Sequence, residues 1–276
     1  MANIAIGIPV FNEGRYISKT LLSAILQFNS YKDLEIVISD NGSTDNTLFE
    51  IHKAIEIAGC DNRIKVITHQ QNTGAFKNFW EVFDSTDSRY FMWLGGHDLL
   101  SDNFISNGVD FLSSNSEYSF FSGAHLSINE ESKVENKPIV YEFNNDNKFE
   151  RYLLSILKLS NCYIFHSIFD RKFMTNYGRY NCPSEDHIMI SRLLWFGKLY
   201  QSNDCAYVRR YFTAENRLNK QKEGSYVTRS NNIEFYESYL SDLDSLTINL
   251  SKNIKTAIIN KASEVLIKRL GLPFIK

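Results

Sequence analysis

Four carboxylates stand at places where a folded chain could bind a cation or move a proton. Asp40 ends a β-branched run, Asp98 follows His97 and two glycines, and Glu185 and Asp186 begin a helical pattern. A carboxylate beside glycines suits Mg²⁺ or Mn²⁺, which proteins often hold jointly with a phosphate group. A carboxylate at the start of a helix can take a proton from an attacking hydroxyl. These residue types therefore predict metal-assisted or general-base chemistry.

The stretch 39–45, SDNGSTD, also has a purely structural interpretation. Its Asn-Gly pair makes a tight turn, and Ser43 or Thr44 caps the next helix with Asp45 near the positive helix end. A cap at Thr44 leaves the carboxylate of Asp40 available at the end of its strand. We therefore expect Asp40 to accept hydrogen bonds from a nucleobase or a ribose.

The other acidic groups have structural alternatives too. Asp98 can cap a helix that starts near Ser101. Neighbouring residues on a strand point to opposite faces, so His97 and Asp98 can ligate the same ion only if the chain turns at this point. Imidazole favours Mn²⁺ over Mg²⁺. Glu185 and Asp186, behind a Ser184 cap, stabilise a helix dipole without any catalytic role.

Alternating short apolar runs and helical patterns in the first half predict a parallel sheet with crossover helices. The predicted strands are 3–11, 34–40, 63–69 and 90–95, and the predicted helices are 13–28, 44–59 (closed by Gly59) and 74–86. Each strand is followed by polar residues: PVFNEG, SDNGSTD, HQQNTG and GGHD. Ligands bind at the carboxyl ends of parallel strands, so these loops should form one site.

The second half has a less regular pattern. It predicts an exposed strand or loop at 129–149, a helix at 150–160, a strand at 162–170, a helix at 185–197 and helices from about residue 231 onward. The tail NKASEVLIKRLGLPFIK combines apolar and basic residues. We favour its packing against the domain or a second subunit over contact with an anionic membrane surface.

The composition excludes several classes of protein. The chain has 276 residues, 43% hydrophobic and 22% charged, with a formal net charge of -2, so it lacks the basic surface that nucleic-acid binding needs. Its four cysteines form no C-x-x-C pair, and no apolar run approaches the roughly 20 residues of a membrane span. With no signal-peptide pattern at the N-terminus, we expect a cytoplasmic protein.

Five stretches in order resemble the family-2 glycosyltransferases, which have the nucleotide-sugar-binding GT-A fold. The resemblance covers about residues 3–215 and rests on IPVFNEGRYISKTLLSAILQ, EIVISDNGSTDNT, NTGAFKNF, WLGGHDLLSDNF and SEDHIMISRL. It implies an α/β fold with a Rossmann-like mixed sheet. The implied domains are 1–218, with a nucleotide-binding half (1–100) and an acceptor half (101–218), and a C-terminal helical extension (219–276).

The resemblance also implies roles for individual residues. The nucleotide would be bound by Pro9, Phe11, Glu13, Asp40, Asn72, Lys77 and His97. Asp98, with His97, would ligate a Mn²⁺ or Mg²⁺ ion on the donor diphosphate. Asp186 would be the general base, with Glu185 as its alternative, and the diphosphate lid would carry Arg209, Arg210 and Arg217.

The implied reaction is an inverting transfer of a sugar from a nucleotide diphosphate to a hydroxyl of a glycan or lipid-linked acceptor, in bacterial surface polysaccharide synthesis. The family commonly has acidic residues where this chain has Gly95 and His97. This difference leaves several alternatives open: the chain could bind metal more weakly, use an unusual donor sugar, work without metal, or be inactive. A non-catalytic binding partner of a larger synthase and a nucleotidyltransferase are the alternative functions, and peripheral membrane contact and oligomer formation are further possibilities.

Overall fold

In the computed structural model of this protein, the described residues are 2–59, 61–159, 162–182, 184–216, 218 and 232–273. Within them, nine strands form one sheet: β1 (Ile4–Val10), β2 (Leu34–Asp40), β3 (Ile64–Thr68), β4 (Tyr90–Trp93), β5 (Leu99–Leu100), β6 (Tyr118–Ile128), β7 (Val134–Ile139), β8 (Ile168–Asp170) and β9 (Lys198–Arg210). The α-helices are α1 (Ile17–Leu26), α2 (Thr47–Ala58), α3 (Ala75–Asp84), α4 (Phe104–Ser114), α5 (Lys148–Lys158), α6 (Glu185–Phe196), α7 (Asn232–Leu246) and α8 (Lys252–Leu270).

The sheet is mixed, with the strand order β3-β2-β1-β4-β8-β6-β9-β5 and β7 paired to β6. Strands β1 to β4 are parallel, as the first half of the sequence predicts. Strand β8 runs antiparallel between β4 and β6, and the long strands β6 and β9 pair in parallel. The carboxyl ends of β1, β2 and β4 therefore lie together near the middle of the sheet.

Two apolar cores cover the faces of the sheet. One contains residues of α3, α5 and α6 against Phe91, Trp93 and Phe169, and the other contains residues of α1, α2 and α4 against Ile6, Ile8 and Ile38. Every residue of β1 is buried, which explains its continuous apolar sequence, because a parallel strand covered on both faces has no polar side. This rigid layer positions the loops at its edge.

Several element boundaries differ from the prediction. Helix α2 begins at Thr47, not at Thr44, because residues 43–45 bond to the loop after β1 instead of continuing the helix. The predicted strand 162–170 is a 3₁₀ turn, Tyr163–His166, followed by the short β8. The Gly59 cap is confirmed, with a left-handed φ of 61°.

The two C-terminal helices pack against α5 and α6. Phe235, Tyr239 and Leu243 from α7 and Ala262 and Leu266 from α8 are buried in the first core. For Ala262 and Leu266 of the basic tail, the structure therefore shows packing against the domain, one of the two arrangements expected in preference to membrane contact. None of the helices in the described ranges is long and apolar enough to cross a bilayer. The predicted domain boundary at 218/219 adjoins residues 219–231, which lie outside the described residues, and stays a prediction.

Candidate active site

The loops after β1 and β2 are joined by hydrogen bonds. Asn12 has a left-handed φ of 53°, its amide donates to the Ser43 hydroxyl (2.9 Å), and its side-chain oxygen accepts from the Thr44 amide (2.9 Å). One residue further, the Glu13 amide donates to the Thr47 hydroxyl at 2.8 Å. The polar residues that we expected to cap α2 therefore fasten two loops together at the edge of the sheet.

Asp40 is the last residue of β2 and pairs with Val10 of β1. One oxygen of its buried carboxylate accepts from both the amide and the hydroxyl of Ser43, so the expectation of a carboxylate without an intramolecular partner is wrong. Pro9 is buried within β1, and Phe11 is half-buried just beyond it. Asp40 and Phe11 thus stand at the ends of adjacent strands.

The loop after β3 is tied to the same edge. The Asn41 side chain donates to Asn72 (2.9 Å) and accepts from the Thr73 amide (2.8 Å). Lys77, on the first turn of α3, is exposed. The buried Asn78 donates to carbonyls of both β1 and β2, a contact that the sequence analysis missed although Asn78 lies within the quoted NTGAFKNF stretch.

The loop after β4 turns sharply, since the Asp98 amide donates to the Gly95 carbonyl at 3.0 Å. This turn brings His97 and Asp98 to one side of the chain, with 3.9 Å between His97 Nε2 and Asp98 Oδ1. The other ring nitrogen of His97, Nδ1, lies 2.9 Å from the Glu13 carboxylate. The chain therefore has the turn that His97 and Asp98 require in order to ligate the same ion.

Asp98 does not cap a helix, because α4 begins only at Phe104. Its carboxylate is 2% exposed and accepts from the Tyr207 hydroxyl (2.6 Å) and the Arg210 amide (2.7 Å). The sequence analysis missed Tyr207, because the bond spans 109 residues of chain. Each carboxylate oxygen has a second lone pair, so these bonds are compatible with metal ligation.

Two of the three arginines of the expected lid lie in the described residues, and their surroundings differ. Arg210 is 2% exposed and donates to the His97 and Asn129 carbonyls (3.1 and 2.7 Å), so it contacts the loop after β4. The guanidinium of Arg209 lies 5.2 Å from the Tyr163 ring centre. Arg217 lies outside the described residues.

The segment that follows β9 covers His97. The ring of Phe212 packs edge-on against His97, with 4.8 Å between the ring centres. The Glu130 carboxylate accepts from the Thr213 amide (2.8 Å) and the Asn216 side chain (2.6 Å). The bond from the Thr213 amide lowers the pKa of Glu130. The start of the expected lid is therefore anchored next to His97.

Glu185 and Asp186 begin helix α6, as predicted, but Ser184 makes no side-chain cap. Asp186 is half-buried, and its carboxylate accepts from the His187 amide (3.0 Å). Burial raises the pKa of Glu185 to about 8, an effect that the nearby Tyr177 hydroxyl and Trp80 indole oppose. A pKa of about 8 favours the protonated form of Glu185 at neutral pH.

The turn at 162–166 lies between Asp186 and Asp98. Burial and the neighbouring Asp186 carboxylate raise the pKa of the Cys162 thiol. At the other end of the turn, His166 Nδ1 lies 3.1 Å from the Trp93 carbonyl and the His166 ring stacks on Tyr207, which itself bonds Asp98. A chain of contacts therefore connects the start of α6 to the loop after β4.

Cys162, Asp186 and His187 also bring one potential metal-ligating atom each to within 4.8 Å of one another. However, a guanidinium nitrogen of Arg269 lies 3.4 Å from His187 Nδ1. Because this positive charge repels a second cation, we assign no metal to this group.

The chain matches known proteins in both sequence and structure. An uncharacterized glycosyltransferase of Haemophilus influenzae is 28% identical over 125 residues, 45% of this chain and 37% of its own length. A dolichyl N-acetyl-alpha-D-glucosaminyl phosphate 3-beta-D-2,3-diacetamido-2,3-dideoxy-beta-D-glucuronosyltransferase of Methanococcus voltae is 30% identical over 39% of this chain and 33% of its own length. The matched segments thus span about a third of the length of these relatives.

Solved structures share the fold. TarS 1–349 of S. aureus in complex with UDP-GlcNAc has a TM-score of 0.67 and 15% identity over 96% of this chain and 72% of its own. The mannosyltransferase PcManGT of Pyrobaculum calidifontis, with GDP-Man and Mn²⁺, has a TM-score of 0.57 and 13% identity over 98% and 73%. The mixed sheet is the GT-A fold of these enzymes. Because the model of glycosyl transferase family 2 matches residues 5–178, well over half of the sequence, the chain belongs to that family.

Proposed function

We propose that this chain is an inverting glycosyltransferase, which transfers a sugar from a nucleotide diphosphate to a hydroxyl of a glycan or lipid-linked acceptor. The observation that carries the proposal is the position of Glu13, whose amide is bonded to Thr47 and whose carboxylate is bonded to His97. Through Glu13, the loops after β1 and β4 meet the first residue of α2. Convergent loops at the carboxyl ends of strands are where α/β sheets bind ligands.

The nucleotide would bind at the ends of β1, β2 and β3. Asp40 would accept from the base or ribose through its carboxylate, next to Pro9 and Phe11. Asn72 and the exposed Lys77 follow β3 at the same edge of the sheet, where Lys77 can approach phosphate oxygens. The ligands bound in the structural neighbours, UDP-GlcNAc and GDP-Man, support a nucleotide sugar as the donor.

His97 and Asp98 are the residues that would hold a divalent ion. Their facing atoms are 3.9 Å apart, and neighbouring ligands at about 2.1 Å in an octahedral shell are about 3.0 Å apart, so the two side chains would approach each other by about 1 Å to share an ion. An ion held there would neutralise charge on the departing diphosphate. The half-buried Arg209, beside Tyr163 and Tyr211, would add a guanidinium for the same diphosphate.

Asp186 would act as the general base. It takes the proton of the acceptor hydroxyl as the hydroxyl oxygen bonds to the anomeric carbon. The bond from that carbon to the diphosphate oxygen breaks, and the electron pair leaves with the nucleoside diphosphate. A single displacement of this kind inverts the anomeric configuration. The protonated Glu185 is unsuited to this role at neutral pH.

The setting that we propose is surface polysaccharide synthesis in a bacterium, in the cytoplasm or at the inner face of the cell membrane. The name of the Methanococcus voltae relative includes a dolichyl-linked sugar phosphate, which supports a lipid-linked acceptor. A bacterial source is supported by the relatives from Haemophilus influenzae and by the glycosyltransferase GlyG of Streptococcus pneumoniae, 30% identical over 37% of this chain.

The test is a screen of nucleotide sugars for hydrolysis or transfer by the full chain, with Mn²⁺, with Mg²⁺ and with EDTA. We expect release of a nucleoside diphosphate that Asp186→Asn strongly reduces. Calorimetric titration with UDP and GDP separates the alternatives. Binding without hydrolysis or transfer of any donor would favour a non-catalytic partner, and pyrophosphate release from nucleoside triphosphates would favour a nucleotidyltransferase.

A further inference from the structure

Glu13 contacts the loop after β4 through its side chain. It is 7% exposed, and its Oε1 lies 2.9 Å from His97 Nδ1. Its own position is fixed by the bond from its amide to the Thr47 hydroxyl at 2.8 Å. A carboxylate held by two loops in this way restrains the imidazole ring, which Phe212 covers on another side.

This contact determines which nitrogen of His97 points toward Asp98. Nδ1 is turned toward the Glu13 carboxylate, so Nε2 is the ring nitrogen on the Asp98 side. Nε2 faces Asp98 Oδ1 at 3.9 Å, which is beyond hydrogen-bond distance. The His97 side chain is 16% exposed, whereas that of Asp98 is 2% exposed. His97 is thus the more accessible ligand of the pair.

We infer that Glu13 is a positioning residue for metal binding, and that Glu13, His97 and Asp98 together make a site that prefers Mn²⁺ and Co²⁺ to Mg²⁺. A carboxylate bonded to the second nitrogen of a histidine orients the ring and makes it a stronger ligand, and losing such a partner commonly weakens metal binding by about 10-fold to 100-fold. Imidazole binds transition ions better than Mg²⁺. The inference rests on the proposed function, because the ion would meet the diphosphate of the donor.

The same contact has a simpler interpretation, in which Glu13 only ties two loops together. In that case, removing Glu13 lowers the stability of the fold but leaves the order of metal affinities unchanged. The two interpretations therefore differ in metal selectivity and in the spectrum of bound Co²⁺, which reports directly on a nitrogen ligand.

The experiment measures Mn²⁺, Co²⁺ and Mg²⁺ binding to the full chain in the presence of inorganic pyrophosphate, which stands in for the donor diphosphate. We expect Glu13→Ala to weaken Mn²⁺ binding by about 10-fold to 100-fold. His97→Gln should remove the nitrogen ligand from the Co²⁺ absorption spectrum, and His97→Asp should shift the preference toward Mg²⁺. Glu13→Gln keeps an acceptor for Nδ1 and should retain more affinity than Glu13→Ala.

Glu56→Gln, on the exposed face of α2, is the matched control and should bind Mn²⁺ as the unmodified chain does. Unchanged Mn²⁺ affinity in both Glu13 variants, or an unchanged Co²⁺ spectrum in His97→Gln, would overturn the inference. Sugar transfer that persists in EDTA, without metal binding, would overturn the inference and leave the proposed function intact. Metal binding with this selectivity, but without any sugar transfer, would support the inference and overturn the proposed function.

Discussion

The protonation of Glu185 can be tested through the pH dependence of stability. Replacing it by Gln keeps the size of the side chain but removes its titration. Since burial raises the pKa of Glu185 from 4.5 to about 8, the folded chain binds one more proton than the unfolded chain between these pH values. Stability from this group is therefore fully present below about pH 4.5 and is lost as the pH rises through about 8.

The magnitude follows from the size of the pKa change. At 1.36 kcal/mol per pH unit, a rise from 4.5 to about 8 corresponds to at most about 5 kcal/mol. Because Glu185 keeps partial contact with solvent, screening reduces this value, and we expect about 2 kcal/mol. Glu185→Gln should thus match the unmodified chain near pH 4.5 and exceed its stability by about 2 kcal/mol above pH 8.

Urea denaturation of both proteins at pH 5 and pH 8.5 measures this difference, with the exposed Glu56→Gln as the control. The difference between Glu185→Gln and the unmodified chain should widen at the higher pH, and that of the control should stay constant. If the Glu185→Gln difference is the same at both pH values, Glu185 is ionised in the folded chain at neutral pH, and the choice of Asp186 as the base loses its physical basis.

Three further changes test other parts of the structure. Asp186→Asn should lower kcat by roughly 10²-fold to 10⁴-fold with a small change in KM, measured by steady-state kinetics with the donor found in the screen. Asp40→Asn should weaken nucleotide binding by roughly 10-fold to 100-fold in calorimetric titration, because a charged acceptor is lost. Asp242→Ala should cost about 3–5 kcal/mol in urea denaturation, because it leaves the buried guanidinium of Arg192, now 2.8 Å from the Asp242 carboxylate, without its counter-ion.

The first half of the fold could be predicted because its signals are local. The bounds of β2, 34–40, match the structure, and the polar residues after β1, β2 and β4 do meet at one edge. A buried parallel strand has a continuous apolar sequence, and its carboxyl end is where the chain must turn, so both features are visible in a short window of residues.

The contacts of Asp98 and Glu185 could not be predicted in this way. Asp98 accepts from Tyr207 and Arg210, which are 109 and 112 residues away in the sequence, on a strand whose pairing with β6 is itself non-local. The pKa of Glu185 depends on burial, which raises it, and on hydrogen bonds from Tyr177 and Trp80, which lower it, and no short window of sequence contains all three residues. Motifs locate acidic residues, but only packing determines which of them is ionised.

Gly95, at a position where the family commonly has an acidic residue, lies against the carboxylate of Asp98. A side-chain carbon built at Gly95 would lie 2.6 Å from Asp98 Oδ2, the oxygen that accepts from Tyr207. An acidic residue at position 95 is therefore incompatible with the present position of Asp98. In the proposed metal site, His97, oriented by Glu13, would be the accessible ligand in place of the missing acid.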